Sequence, residues 1–420
     1  MINTAKINKE FHLNNVVVSN AVETKDLPRH RWYYYKEGFS PSLVKEAIES
    51  YELSNDSIIV DPFNGSGTVT LTASENDIPS IGIEVNPFTS FVAKTKSLNT
   101  KPKYLADLFD LTLEAVEKGK NSPLENYSTF TVGEKKDKWL FNLEVIRAFE
   151  GGIDLLQGQK SNAAELLKLA LISAIMKNAN ARKDGKCLRY KPHWQTLNLN
   201  KTSFIEAFQS EYAKIQTDIE QRINIKPKII TNDSRNGIQA IDQSFDLAIT
   251  SPPYLNTFDY TDIYRPELFL GKFIQNSDAL YNLRFKTVRS HVQVKWKQPK
   301  TNAIESLILR ESYNSIKSKE EQLMDKNIPL MILAYFEDMG VIFQKLAEKA
   351  NKNAHLWMVV STSAYANEEI PVDLILADIA TKNSWKLKEI GVLREISKRK
   401  TKHSPDITKL RESLIILIKS

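Results

Sequence analysis

Residues 56–85 read DSIIVDPFNGSGTVTLTASENDIPSIGIEV. The run from Ile58 to Val60 is short, apolar and β-branched, which predicts a buried strand. Between Asp61 and Thr68 a proline and two glycines crowd into one turn, and a helical pattern follows. The second apolar run, SIGIEV, predicts the next strand, ending at Glu84, and Asn86-Pro87 starts another helix. Strand, turn, helix and strand in this order form the βαβ unit of a parallel sheet. The expected fold class is therefore α/β.

The turn DPFNGSGT has its own chemistry. Gly65 and Gly67 can take positive φ and let a ligand approach the backbone, while the helix that follows points free N–H groups at that ligand. Glu84 stands at the end of the next strand, where an acid in dinucleotide-type folds takes the two ribose hydroxyls. A plain tight turn and an exposed strand-end charge are the alternatives. No GKS or GKT is present for a triphosphate, and the spacing is not GxGxxG. Asp61 would repel a pyrophosphate but suits a cationic amine. A nucleoside with an ammonium group and no phosphate points to S-adenosylmethionine.

A second motif closes the run SFDLAITSPPY at residues 244–254. Phe245, Leu247, Ile249 and Thr250 predict a strand, which Pro252 and Pro253 must stop because neither donates a ladder hydrogen bond. The result is a stiff platform holding the Ser251 hydroxyl, the proline carbonyls and the Tyr254 ring at a strand's C-terminal edge, where open α/β sheets bind ligands. A strand ended by prolines with an incidental tyrosine is the bland reading.

Elsewhere, strands are expected in KPKIITND, HLWMVVST, WKLKEIGVL and ESLIILI, for about seven in one sheet. Residues 30–100 and 226–420 form the expected catalytic domain. Residues 101–225 lose strand signals and read as a helical insertion, and 270–325 as a basic, irregular one. REISKRKTKHSPDITKLR reads as a surface loop between the last two strands. Ser40 and Pro41 predict a helix start, and an acid after TSPPY predicts a cap for a helix near Thr261. With 420 residues, 42% hydrophobic and 26% charged, the composition is that of a globular protein. No uninterrupted apolar run suits a membrane span, and no apolar leader stands at the N-terminus, so a cytoplasmic protein is expected. One cysteine, Cys187, excludes a disulfide framework and a multi-cysteine zinc site; a partly buried thiol is expected. The six histidines lack metal-ligand spacing, and only His291 stands near a segment of interest.

DPFNGSGT and TSPPY together resemble the cofactor and catalytic motifs of amino-group DNA methyltransferases, whose usual forms are DPF-x-GSGT and [SND]-PP-[YFW]. RWYYYKEGFSPSLVKEAI is similar to the segment before the cofactor motif. The resemblance implies a Rossmann-like sheet with S-adenosylmethionine as cofactor. It implies binding roles for Asp61, Phe63, Gly65, Gly67, Thr68, Glu84, Asp233, Phe39 and Ser40. Catalytic roles go to Ser251, Pro252, Pro253 and Tyr254. It treats Asn64 as a tolerated variant at a variable position. Serine in the second motif favours cytosine N4 as target over adenine N6. Cytosine C5 chemistry needs a cysteine nucleophile, which Cys187 does not resemble. Action on RNA, or a silent nucleic-acid-binding sheet, are the other readings.

The resemblance implies double-stranded DNA as substrate and a cognate restriction endonuclease as partner. The formal charge of +6 argues weakly for a polyanion, but its distribution says more. Arg182, Lys183, Lys186 and Arg189 lie among Tyr190 and Trp194, and Arg284, Arg289, Lys295 and Lys297 form a second run. Basic residues interleaved with aromatics suit phosphate contact plus stacking; a solvated basic face is the alternative. The resemblance does not cover the helical insertion, so recognition is expected to fall to the two insertions.

Overall fold

A computed structural model describes residues 7–14, 16, 19–132, 137–185, 187–296, 298–299, 306–397, 406–407 and 409–420. In chain order the strands are Ile7–Asn8 (β1), Ile59–Asp61 (β2), Ser80–Glu84 (β3), Ala181–Asp184 (β4), Cys187–Tyr190 (β5) and Lys228–Thr231 (β6). They continue with Phe245–Thr250 (β7), Ala350–Ser361 (β8), Ser363–Tyr365 (β9), Glu368–Ile370 (β10), Trp385–Ser397 (β11) and Lys409–Lys419 (β12). Eight of them form one sheet in the order β1-β11-β12-β8-β7-β2-β3-β6.

From β8 to β6 every neighbouring pair is parallel. β12 alone runs antiparallel, between β8 and β11. The chain winds from β2 outward through β3 to β6, then returns to the other side of β2 as β7 and continues to β8. Winding direction reverses between β2 and β7. Loops leaving the two C-terminal ends turn apart there and open a crevice.

Both faces of the central strands are covered, and every residue of β2 and β7 but Asp246 is buried. Ile59, Leu247, Ile249 and Trp357 pack with Leu43, Val44 and Ala47 of the helix Pro41–Ser50. Val60, Ala248, Leu356 and Met358 face the opposite way, onto the helices Ile328–Lys349 and Val372–Thr381. The helix starts follow their capping residues. Ser40 Oγ accepts from Leu43 N at 3.3 Å, Asn86 Oδ1 from Phe88 N at 3.0 Å, and Asp259 Oδ1 from Thr261 N at 2.9 Å.

Between β3 and β6 lie the helices Pro102–Lys118, Leu143–Leu156, Asn162–Lys177 and Lys201–Asp218. Their core, including Leu105, Phe149, Leu171 and Phe208, runs on into Phe88 and Val92 beside the sheet and into Tyr264 and Leu268. Its pattern predicts no strands, yet the stretch holds two. β4 and β5 pair as an antiparallel hairpin in which only Ala181 is buried, and their sequences ARKD and CLRY carry no apolar alternation. β1 adds an eighth strand of two residues, too short to leave a periodic signal.

The 270–325 stretch is also more regular than its composition implies. It holds helices Ser277–Arg284 and Leu307–Ser318, capped by Asn276 and Ser306. The second buries only Leu309 and Ile316. The basic run expected as a surface loop is partly strand, since β11 reaches Ser397 and β12 begins at Lys409. Among the described residues no helix is long and apolar enough to cross a membrane.

Candidate active site

The crevice between β2 and β7 holds a cavity of about 340 Å³. Asp61, Phe63, Asn64, Gly65 and Thr68 line it from the glycine turn, Glu84 from β3, and Ser251, Pro252, Pro253 and Tyr254 from the loop after β7. The two strand ends are tied directly: Thr250 Oγ1 donates to Asp61 Oδ1 at 2.7 Å. The motifs lie 189 residues apart in the chain and one hydrogen bond apart in space.

The turn is built for close approach. Gly65 and Gly67 have φ of +49° and +85°. A Cβ at Gly67 would stand 2.9 Å from Ala93 Cβ, so glycine is required there on two counts. Glu84 braces the turn, Oε2 accepting from Gly65 N and Oε1 from Asn86 N, both at 2.8 Å. Asn64 turns out to be structural rather than merely tolerated. Its side chain is buried over Gly82, where a Cβ would come within 2.4 Å of it, and its Oδ1 accepts from Thr70 Oγ1 at 3.0 Å. No local pattern links Asn64 to a glycine on the neighbouring strand.

Burial pushes the Asp61 carboxyl up to about 7, against hydrogen bonds from Thr250 and from Phe63 N. It also raises Glu84, against the backbone donors that hold it. Asp233 lines the cavity and is held by Arg235, whose Nη2 lies 2.7 Å from Oδ2. Phe39 lines the cavity as well. Ser40 does not: fully buried, it spends its hydroxyl on the helix cap, which corrects the expected binding role. Gly67 lies behind the lining and acts through the turn.

Tyr254 donates its phenol proton to Glu412 Oε1 at 2.9 Å. His291 lines the cavity too, buried, with Nε2 3.2 Å from Thr287 Oγ1, and burial lowers its pKa. Glu412, Arg394 and Tyr35 are lining residues that pattern reading missed. A charge opening the apolar strand RESLIILI was the available signal for Glu412.

The basic residues separate into free and committed. Arg182 and Lys295 are exposed. Arg189 is exposed but pairs with Asp184 at 2.5 Å. Lys183 is withdrawn from any DNA surface, its Nζ 2.8 Å from Tyr33 Oη, 2.5 Å from Glu267 Oε1 and 3.5 Å from the centre of the Tyr264 ring. Arg284 pairs with Asp259 at 2.7 Å, and Arg289 with Glu337 and Asp338, both at 2.6 Å. These three arginine and lysine side chains are pinned by partners far away in sequence. Lys186 and Lys297 lie outside the described residues. Cys187 is exposed, not partly buried.

Lys183→Met tests this reassignment. It strands the buried Glu267 carboxylate and is expected to cost about 3 kcal/mol of stability in denaturant unfolding. The salt dependence of DNA binding should stay as in wild type. Unchanged stability with a flattened salt slope would return Lys183 to the interface.

The glycine turn and the Ser251 loop open on one cavity, tied by the Thr250–Asp61 hydrogen bond. Residues 3–95 match the family described as DNA methylase, of the N6/N4 methyltransferase type. Three curated relatives align with most of the chain. Type II methyltransferase M.AvaI of Nostoc sp. is 27% identical over 88% of this chain and 81% of its own. Type II methyltransferase M.BsoBI of Geobacillus stearothermophilus is 28% identical over 87% and 80%. Type II methyltransferase M.MvaI of Kocuria varians is 22% identical over 90% and 86%. By these matches the chain is similar to amino-group DNA methyltransferases over most of its length. The cofactor is S-adenosylmethionine. The cavity suits it, lined by the glycine turn, a carboxylate at the end of β3 and a buried acid at the end of β2.

Proposed function

We propose that this chain methylates the exocyclic amine of a base turned out of double-stranded DNA, with cytosine N4 as the target. It would serve as the protective half of a restriction–modification pair, beside a cognate endonuclease. The observation that carries the reading is the Thr250–Asp61 hydrogen bond, which sets the Ser251 platform beside the glycine turn on one cavity. The type II relatives support DNA as substrate. Serine at the head of the PPY loop supports cytosine by resemblance.

When bound, S-adenosylmethionine supplies a methyl group on a sulfonium sulfur, which leaves as a thioether while the amine's surplus proton passes to water. The chain's own task is alignment. A paired amine is unreachable inside the duplex, so the base must leave the stack. Ser251 Oγ and the Pro252 carbonyl accept its two N–H bonds and draw the nitrogen lone pair out of ring conjugation. The Tyr254 ring offers a stacking face. Glu84 takes the ribose hydroxyls and Asp61 the ammonium.

Asp61 makes the cofactor affinity pH-dependent. Its carboxyl is raised to about 7, so it gains a proton as pH falls through that value. An ammonium ligand prefers the ionised form. Cofactor Kd should therefore rise by roughly tenfold between pH 8 and pH 6 in titration calorimetry. Asp61→Asn should bind weakly and without that slope. A flat wild-type profile would remove Asp61 from the ammonium role.

Mass spectrometry of nucleosides from DNA of an expressing host tests the whole reading. N4-methylcytosine is expected. N6-methyladenine would correct the target base, and an unmodified DNA pool would refute the proposal.

A further inference from the structure

We infer that the β4–β5 hairpin is the element that reads DNA sequence, a two-stranded ribbon whose outer face lays Arg182 and Arg189 against base edges in the major groove beside the target base. The inference rests on the methyltransferase reading above and assigns its sequence recognition to a particular part of the chain.

The ribbon has two unlike faces. Arg182 pairs across it with Arg189, and Lys183 with Leu188, so successive side chains point to opposite sides. Arg182, Cys187 and Arg189 are exposed, whereas Leu188 and Tyr190 pack on the helical core. The inner face is also held by Lys183, whose ammonium sits between Tyr33, Glu267 and the Tyr264 ring. Asn180 fixes the open end. Its N–H donates to Leu140 O at 2.7 Å, and its carbonyl accepts from Lys191 N at 2.8 Å. The ribbon is therefore anchored before any DNA arrives, and binding orders little of it.

At the other end the turn residue Gly185, with φ of +60°, lines the wall of the active-site cavity. Nothing among the described residues stands within 4 Å of the Cβ position there, so the tip is open. A base entering that cavity leaves a duplex whose neighbouring pairs lie against the ribbon. The major groove admits a two-stranded ribbon, and an arginine fork matches guanine O6 and N7. The charges fit the same partner. Arg182 stands directly opposite Arg189, and like charges so placed weaken a strand pair. Arg189 also pairs with Asp184 at 2.5 Å, which holds it along the ribbon. Burial and then the nearby Arg182 lower the pKa of Lys191. An electronegative guanine edge relieves this crowding of cations.

The test is methylation of a random-sequence DNA library by the purified protein with S-adenosylmethionine, the modified bases being mapped by single-molecule sequencing. Wild type should mark its target base within a short fixed motif. Arg182→Ala and Arg189→Ala should each relax the motif at the positions they read, discrimination against a wrong base falling there by roughly 10- to 100-fold. Cofactor Kd and the unfolding midpoint should stay at wild-type values, because both side chains are exposed. Arg182→Lys and Arg189→Lys keep the charge and lose the fork. They should relax the same positions while the salt dependence of binding is kept. An unaltered motif in the protein carrying both alanine substitutions would overturn the inference. So would a loss spread evenly over all sequences with a flattened salt slope, which marks phosphate contact alone. A wild-type protein that marks no base in the library would instead refute the reading beneath it.

Discussion

Ser251→Ala is expected to reduce methyl transfer by roughly 10²- to 10³-fold while cofactor binding stays near wild type. The residue directly follows a strand buried on both faces, and Pro252 and Pro253 stiffen the loop after it. Its Oγ therefore meets the substrate at little cost in ordering. An amine conjugated with a base ring is a poor nucleophile, and the acceptors that pull its protons aside act when charge develops on nitrogen. Alanine removes one of the two acceptors and leaves the cavity otherwise intact. Single-turnover rates with saturating cofactor separate this from binding. Loss of cofactor affinity in place of rate would mean that the loop belongs to the donor's half of the cavity.

Glu84→Ala should have the largest effect on the cofactor, weakening it by roughly 100-fold, with little change in DNA affinity. The carboxylate has two tasks. It accepts from the N–H groups of Gly65 and Asn86 and so shapes the turn, and on the proposed reading it also takes the ribose hydroxyls. Alanine forfeits both. Glu84→Gln keeps an acceptor for one N–H and should fall between. An unaltered Kd in Glu84→Ala would take the residue out of the ribose role.

How much of this was legible in the sequence depends on how local the cause is. β2 was readable from its short apolar run before the turn, and β7 from the alternation of Phe245, Leu247 and Ile249 that the prolines then stop. Helix starts at Ser40 and Asn86 were readable because a cap acts within three residues. The glycine turn and the Ser251 platform were readable because each motif is contiguous. The β4–β5 hairpin was not, since its four-residue strands ARKD and CLRY carry no apolar alternation. The basic runs misled for a related reason. Lys183, Arg284 and Arg289 look like phosphate contacts until Glu267, Asp259 and Asp338 arrive from other segments. Asn64 and Glu412 depend on Gly82 and Arg394 across strand pairs, and only the folded register brings them together.

The central claim is that donor and amine meet in one cavity at the reversal of the sheet. A crystal structure of the complex with S-adenosylhomocysteine measures this most directly. The account predicts the ribose hydroxyls on Glu84, the adenosine over the Gly65 turn, and the sulfur facing Ser251 and Tyr254. A product molecule seated anywhere else, or with its sulfur turned away from Ser251, would contradict it.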